Sequence, residues 1–193
     1  MRFDNAQFEA SFGTFEQMSK SNLPEIVFAG KSNVGKSSLL NKILNRKALA
    51  RVSSSPGKTI TINFFKLENA RLVDLPGYGY AKVSHSEKIR WGKMMESYFN
   101  SNRDIRLVVQ LLDMRHSPTK DDFQMLDYLT QLGFPFIVAL TKSDKLNKTQ
   151  YKNQLEKLTQ ELLPFNAQQI IPFSAKSGEG ANEIKKAIEK SLN

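Results

Sequence analysis

The stretch Gly30-Lys31-Ser32-Asn33-Val34-Gly35-Lys36-Ser37 decides the fold. It fits the phosphate-binding pattern G-x-x-x-x-G-K-S and stands between an apolar run and a segment with helical apolar spacing, the context that pattern requires. Its glycines let the backbone curl so that successive N–H groups face phosphate oxygens at the positive end of the following helix. Lys36 then reaches the β- and γ-phosphates, and the Ser37 hydroxyl is a candidate Mg²⁺ ligand. The candidate contacts here run from Gly30 through Lys31, Ser32, Asn33, Val34, Gly35, Lys36 and Ser37 to Ser38.

Around this loop, short runs rich in Val, Ile and Phe alternate with longer helical patterns, the signature of an α/β domain with a mostly parallel sheet. Six strands are expected, at Glu25 to Ala29, Thr61 to Leu67, Arg71 to Asp74, Arg106 to Asp113, Phe134 to Thr141 and Gln168 to Phe173. Helices are expected at Ser37 to Leu44, Ser86 to Phe99, Lys120 to Leu132, Thr149 to Leu163 and Ala181 to Leu192. In the second helix Trp91, Met94, Met95 and Tyr98 recur at helical spacing, which reads as core packing. A chain of 193 residues can bury one sizeable core. Residues 1–24 carry no strong period, so residues 1–22 are expected to form an extension packed on a single domain, 23–193.

Three further segments give the loop its meaning. Arg71-Leu72-Val73-Asp74-Leu75-Pro76-Gly77 is a short apolar strand ending in Asp and then Gly. Asp74 is suited to hold Mg²⁺ through a water, and the Gly77 N–H to sense the γ-phosphate, with Leu75 and Pro76 between them. Thr141-Lys142-Ser143-Asp144 follows an apolar strand, and Ser174-Ala175-Lys176 follows the next, which ends at Phe173. Asp144 can accept from guanine N1 and from the exocyclic amine, whereas adenine has a donor at neither place, so the nucleotide is GTP or GDP rather than ATP. Lys142 lies along the base and the Ala175 N–H donates to the guanine carbonyl in this reading. Between the first two motifs, Ser53 to Thr61 is a polar stretch with a glycine, the composition of a switch loop. Gly57, Lys58, Thr59, Ile60 and Thr61 are its candidate contacts, and by chemistry alone either threonine could complete the Mg²⁺ shell.

Composition narrows the setting. There is no cysteine, which excludes disulfides and thiolate metal sites and suits a reducing compartment, and two histidines are too few for a zinc centre. The longest apolar runs fall far short of the roughly 18 to 20 residues that cross a bilayer, and the first residues lack the apolar core of a secretory signal. A cytoplasmic protein that does not enter membranes is expected. The net charge is +9, and Ile26 to Lys66 holds eight Lys/Arg and no acidic residue, whereas Leu67 to Leu140 holds nine of each sign. That surplus exceeds what one triphosphate uses and points to a second polyanion, RNA above all.

The chain resembles the EngB (YsxC/YihA) GTPases of bacterial ribosome assembly. The likeness is carried by LPEIVFAGKSNVGKSSLLNKILNRKALARVSSSPGKT from Leu23, LVDLPGYGYAKVS from Leu72 with WGKMMESYF behind it, LLDMRHSPTKDD from Leu111, and LTKSDKL from Leu140. It implies a Ras-like fold in unpermuted order, GTP hydrolysis, and binding to the maturing large ribosomal subunit, its rRNA and proteins, during growth and division. It also implies Ser37 and Thr59 as the direct Mg²⁺ ligands, and places Asn33 where potassium-activated relatives have an asparagine that helps coordinate K⁺.

Two departures from the wider GTPase pattern matter. Tyr78 stands where Ras-like enzymes carry the glutamine that orients the attacking water, so intrinsic hydrolysis is expected to be slow, with K⁺ near Asn33 or a ribosomal group supplying the missing help. Thr141 replaces the commoner asparagine of the base motif, which is expected to weaken loop anchoring without changing the readout by Asp144. His116, in the turn after a strand, is expected to lie far from the phosphates. The leading expectation is a monomeric GTPase switch; the alternative is a GTP-gated RNA- or ribosome-binding module with negligible hydrolysis of its own.

Overall fold

Strand β2 (Glu25–Gly30) is buried along its whole length because both of its faces are covered. The computed structural model describes the chain apart from residues 19, 21, 47–48, 51–60 and 80–83. β2 pairs in parallel with β4 (Arg71–Asp74) on one side and β5 (Ile105–Asp113) on the other. β6 (Phe136–Thr141) and β7 (Ile170–Phe173) continue the parallel sheet beyond β5. β3 (Ile62–Lys66) lies antiparallel to β4.

A seventh strand among the described residues corrects the expected count of six: β1 (Gln7–Phe12) pairs antiparallel with β3, giving the order β1-β3-β4-β2-β5-β6-β7. Its pattern was illegible for a physical reason. β1 is an edge strand with most of its side chains in solvent, and a register shift between Phe8 and Ala10 breaks the alternation. It is held by its backbone ladder, by the two-pronged Arg71–Glu9 pair at 2.8 Å for each contact, and by edge-on packing of Phe8 on Phe65 and Phe12 on Phe64.

Alternate residues of β2 feed two cores. Ile26 and Phe28 pack with Leu39, Leu40 and Ile43 of α1 (Lys36–Ile43) and Ile184 and Ile188 of α5 (Ala181–Leu192). Val27 and Ala29 belong with Met94, Met95 and Tyr98 of α2 (His85–Asn100), Leu126 and Leu129 of α3 (Lys120–Gln131), and Leu158 and Leu162 of α4 (Lys148–Leu162). The apolar stripe of α2 is thus core, except that Trp91 is half-buried and donates its indole N–H to the Pro76 carbonyl at 3.0 Å. No helix among the described residues is long and apolar enough to cross a membrane.

The sheet brings the motifs to one edge. The chain leaves β2 toward β4 on one side and β5 on the other, so the strand order reverses there and a crevice opens at the carboxyl ends. Gly30, Asp74, Thr141 and Phe173 are the last residues of β2, β4, β6 and β7, and Thr141 pairs with both Asp113 and Phe173. At the opposite end the buried Glu25 carboxylate accepts from Arg103 Nη1 and from the Tyr98 hydroxyl, each at 2.7 Å. That tie fixes the end of α2 and the start of β5 to the central strand.

Candidate guanine-nucleotide site

The loop from Gly30 to Ser38 turns on two left-handed residues, Asn33 at φ 61° and Gly35 at φ 113°. A side chain at Gly35 would be strained there, and this twist lets α1 begin at Lys36 with its free N–H groups turned into the crevice. Val34 is buried, Asn33 is exposed, and Lys31, Ser32, Lys36, Ser37 and Ser38 are half-buried along the crevice wall. Lys36 Nζ lies 2.6 Å from Asp74 Oδ1. Apart from that ion pair, the buried Oδ1 accepts no hydrogen bond among the described residues, and Oδ2 is only 3.5 Å from Asn63 Nδ2. A buried carboxylate oxygen and a serine hydroxyl, Ser37 in the first turn of α1, are hard donors of the kind suited to Mg²⁺. No group of three or more His, Cys, Asp or Glu among the described residues could hold a metal by itself, so phosphate oxygens would complete the shell.

The segment after Asp74 lies against the loop. Leu75 N–H donates to the Phe28 carbonyl at 3.0 Å, Ser32 N–H to the Tyr78 carbonyl at 2.8 Å, and Tyr78 N–H to the Gly30 carbonyl at 3.4 Å. Gly77 is buried between these contacts; a Cβ there would stand 2.9 Å from Ser32 Cα and 3.0 Å from its nitrogen, so only glycine permits the approach. The Tyr78 side chain turns inward. Its hydroxyl donates to Asp122 Oδ1 at 2.7 Å and accepts from Gln110 Nε2 at 2.6 Å, while burial and then the Asp122 charge push its phenol far above the ordinary range. Asp122 also accepts from the N–H and hydroxyl of Thr119, the N-cap of α3, so Tyr78 is tied to the start of that helix.

The base motif is fastened to the same loop. The Thr141 hydroxyl, shared between the Val34 carbonyl at 2.6 Å and the Leu112 carbonyl at 3.1 Å, anchors it with one proton where an asparagine amide would bring two. One hydroxyl reaches both carbonyls because Thr141 ends a strand directly beneath the loop. Lys142, at φ 63°, donates to the Asn33 carbonyl and to Asp113 Oδ2, both at 2.9 Å. Burial alone would raise the Asp113 carboxyl, but hydrogen bonds from Arg115 and Lys142 outweigh it and hold the group below the usual carboxylate range. Ser174 Oγ donates to Asp144 Oδ1 at 2.8 Å and accepts from the N–H groups of Lys176 and Ser177, which orients the carboxylate and the turn holding Ala175 together.

Several residues of this framework were not singled out from the sequence. Glu179 receives the Ser143 and Tyr151 hydroxyls, each at 2.6 Å, and so clamps both base loops to α4; burial and that bond push the Tyr151 phenol up to about 12. No spacing signal points to Glu179. Asp122 was legible only as a helix-capping residue, through Thr119-x-x-Asp122.

Gly57, Lys58, Thr59 and Ile60 lie outside the described residues, as do Lys47 and Arg51 of the basic stretch. Thr61 is half-buried, its hydroxyl 3.5 Å from Asn63 Oδ1. His116 is exposed and lines a cavity of about 220 Å³ with Lys31, Ser32 and Asn33, where the turn after β5 comes beside the loop.

Residues 25–142 match the family described as 50S ribosome-binding GTPase. The chain is 44% identical over 191 residues to a probable GTP-binding protein EngB of Oceanobacillus iheyensis, covering 98% of each, and 49% identical over 176 residues to one of Bacillus cereus, covering 91% of this chain and 89% of that one. Among solved structures, a probable GTP-binding protein EngB superposes with a TM-score of 0.68 at 27% identity, over 87% of this chain and 98% of the other. Era, in complex with MgGDPNP and nucleotides 1506–1542 of 16S ribosomal RNA, gives 0.67 at 26% identity, over 89% of this chain and 57% of Era. With its phosphate loop, Asp–Gly segment and base loops joined at one sheet edge, the chain belongs to the EngB family of GTP-binding proteins and has the Ras-like GTPase fold.

Proposed function

We propose that the chain is a GTP switch that hydrolyses its nucleotide slowly and, in its GTP state, engages the maturing large ribosomal subunit as a cytoplasmic monomer. The observation that carries the reading is the contact of Gly77 and Tyr78 with the loop at Gly30 and Ser32. A γ-phosphate bound by Lys36 and by loop N–H groups abuts this segment, so its presence or loss can shift Gly77 and Tyr78. Lys36 binds the β- and γ-phosphates, and Asp144, oriented by Ser174, reads guanine beside Lys142 and the Ala175 N–H. Ser37 and Thr59 would hold Mg²⁺ directly, with Asp74 acting through water. When bound, Mg²⁺ neutralises charge on the β- and γ-phosphate oxygens.

Slow hydrolysis follows from Tyr78. Its hydroxyl is occupied by Asp122 and Gln110 inside the protein and cannot orient a water at the γ-phosphate. An added cation, K⁺ held with the help of Asn33 or a ribosomal group, would make good the deficit. The ribosomal partner is supported by the description of the matching family, by the RNA-bound Era neighbour and by the basic stretch, of which Arg46 is exposed. Phosphate release from GTP tests the reading, compared in Na⁺ and K⁺ and with purified large subunits. Slow release that rises at least about tenfold with K⁺ or with large subunits is expected, given the roughly 10³- to 10⁵-fold that a supplied cation can contribute. Fast release in Na⁺ alone would contradict it.

A further inference from the structure

We infer that the groove between α2 and α3 is a docking site for a cationic polypeptide segment with one large apolar anchor residue. The groove encloses about 740 Å³, and its inner end is formed by Gly77 and Tyr78. Trp91, Met95, Met125 and Tyr128 line it, a surface of the kind that takes an apolar side chain, with methionines able to adapt to its shape.

Three observations say what fits there. Gly92 stands in the middle of α2, where glycine is disfavoured, and a Cβ at that place would meet nothing within 4 Å. The helix therefore leaves room against its own backbone. The Tyr128 hydroxyl is buried and has no hydrogen-bond partner among the described residues, a donor waiting for an acceptor such as a main-chain carbonyl. Among the described residues the charged ones on the groove are Glu87, Glu96 and Asp121 against Lys88, a net negative lining on a chain of net charge +9. Carboxylates there repel the phosphates of RNA and attract Lys or Arg side chains, against the sign of the molecule as a whole. The inference goes beyond the ribosome reading and stands whether or not that reading holds: the polyanion belongs to the basic stretch, the cationic segment to this groove.

Trp91 is the sole tryptophan of the chain, so its emission reports directly on the groove. The probe is a blocked, tryptophan-free peptide, acetyl-Lys-Arg-Ser-Phe-Lys-Arg-amide, titrated into the protein held with GDP. A saturable change in Trp91 emission is expected, weakening with salt. Gly92→Leu, which suits a helix and fills the groove, should abolish it. Glu96→Lys with Asp121→Lys should weaken it about tenfold or more while GDP affinity stays within about twofold. Each of the following would overturn the inference: no saturable change, equal affinity for the peptide with glutamates in place of its basic residues, undiminished binding to both variants, displacement by an RNA oligonucleotide that gives the same change, or an emission change from protein concentration alone, which would make the occupant a second copy.

Discussion

The Lys142 ammonium donates to the Asn33 carbonyl at 2.9 Å and to Asp113 at the same distance, so one side chain of the base motif braces the phosphate loop against the end of β5. Removing it should loosen the loop rather than the base contact alone. Lys142→Met is expected to weaken GDP binding by roughly 10- to 100-fold, the range for a lost hydrogen bond to a charged group. Displacement of a fluorescent GDP analogue measures this; affinity within about twofold of wild type would deny the brace a role in binding.

Asp113 makes the brace sensitive to acid. Its carboxyl is held below the usual range in the folded protein, so its contribution to stability is present above the unfolded carboxylate value of about 4 and is lost as pH falls toward the lower folded value. Asp113→Asn should therefore be less stable than wild type at pH 7, with the gap in urea midpoint narrowing below about pH 4. A gap that stays constant between pH 7 and pH 3 would show that the charge is irrelevant.

Asp144 is oriented by Ser174 and carries the guanine assignment. Asp144→Asn is expected to lower GTP affinity by about 100-fold or more and to shift preference toward xanthosine triphosphate, whose extra carbonyl accepts from the amide. Unchanged preference for GTP in a competition titration would place the base reader elsewhere.

Tyr78 separates two ideas about hydrolysis. Its hydroxyl faces Gln110 and Asp122, so Tyr78→Phe should cost about 1–3 kcal/mol of stability by leaving those buried groups unpaired. Tyr78→Gln should not restore fast hydrolysis, because the side chain at this position is directed between β5 and α3. A gain approaching the ~10³-fold of a supplied catalytic group would mean that the glutamine reaches the phosphates.

What the sequence disclosed and what it hid divide along the range of the interactions. The loop Gly30–Ser37, the strand ending at Asp74 and the turn after Thr141 are local patterns, and their strands fall within two residues of the expected bounds. β1 escaped because it has neither a buried face nor an unbroken alternation; a partner strand, β3, makes it a strand. Glu179 and the Tyr78–Asp122 tie escaped because each joins residues far apart in the chain, 36 positions for Ser143 to Glu179 and 44 for Tyr78 to Asp122. The partner of Thr141 escaped for the same reason: the Val34 carbonyl lies 107 positions away, and the residue type does not disclose it.

In the proposed cycle the nucleotide gates a ribosomal partner. Co-sedimentation of the chain with separated ribosomal subunits, with GDP or with a non-hydrolysable GTP analogue at moderate salt, tests it most directly. The chain should travel with the large subunit and only with the analogue. Equal binding to both subunits and to unrelated RNA, or no binding in either nucleotide, would contradict it.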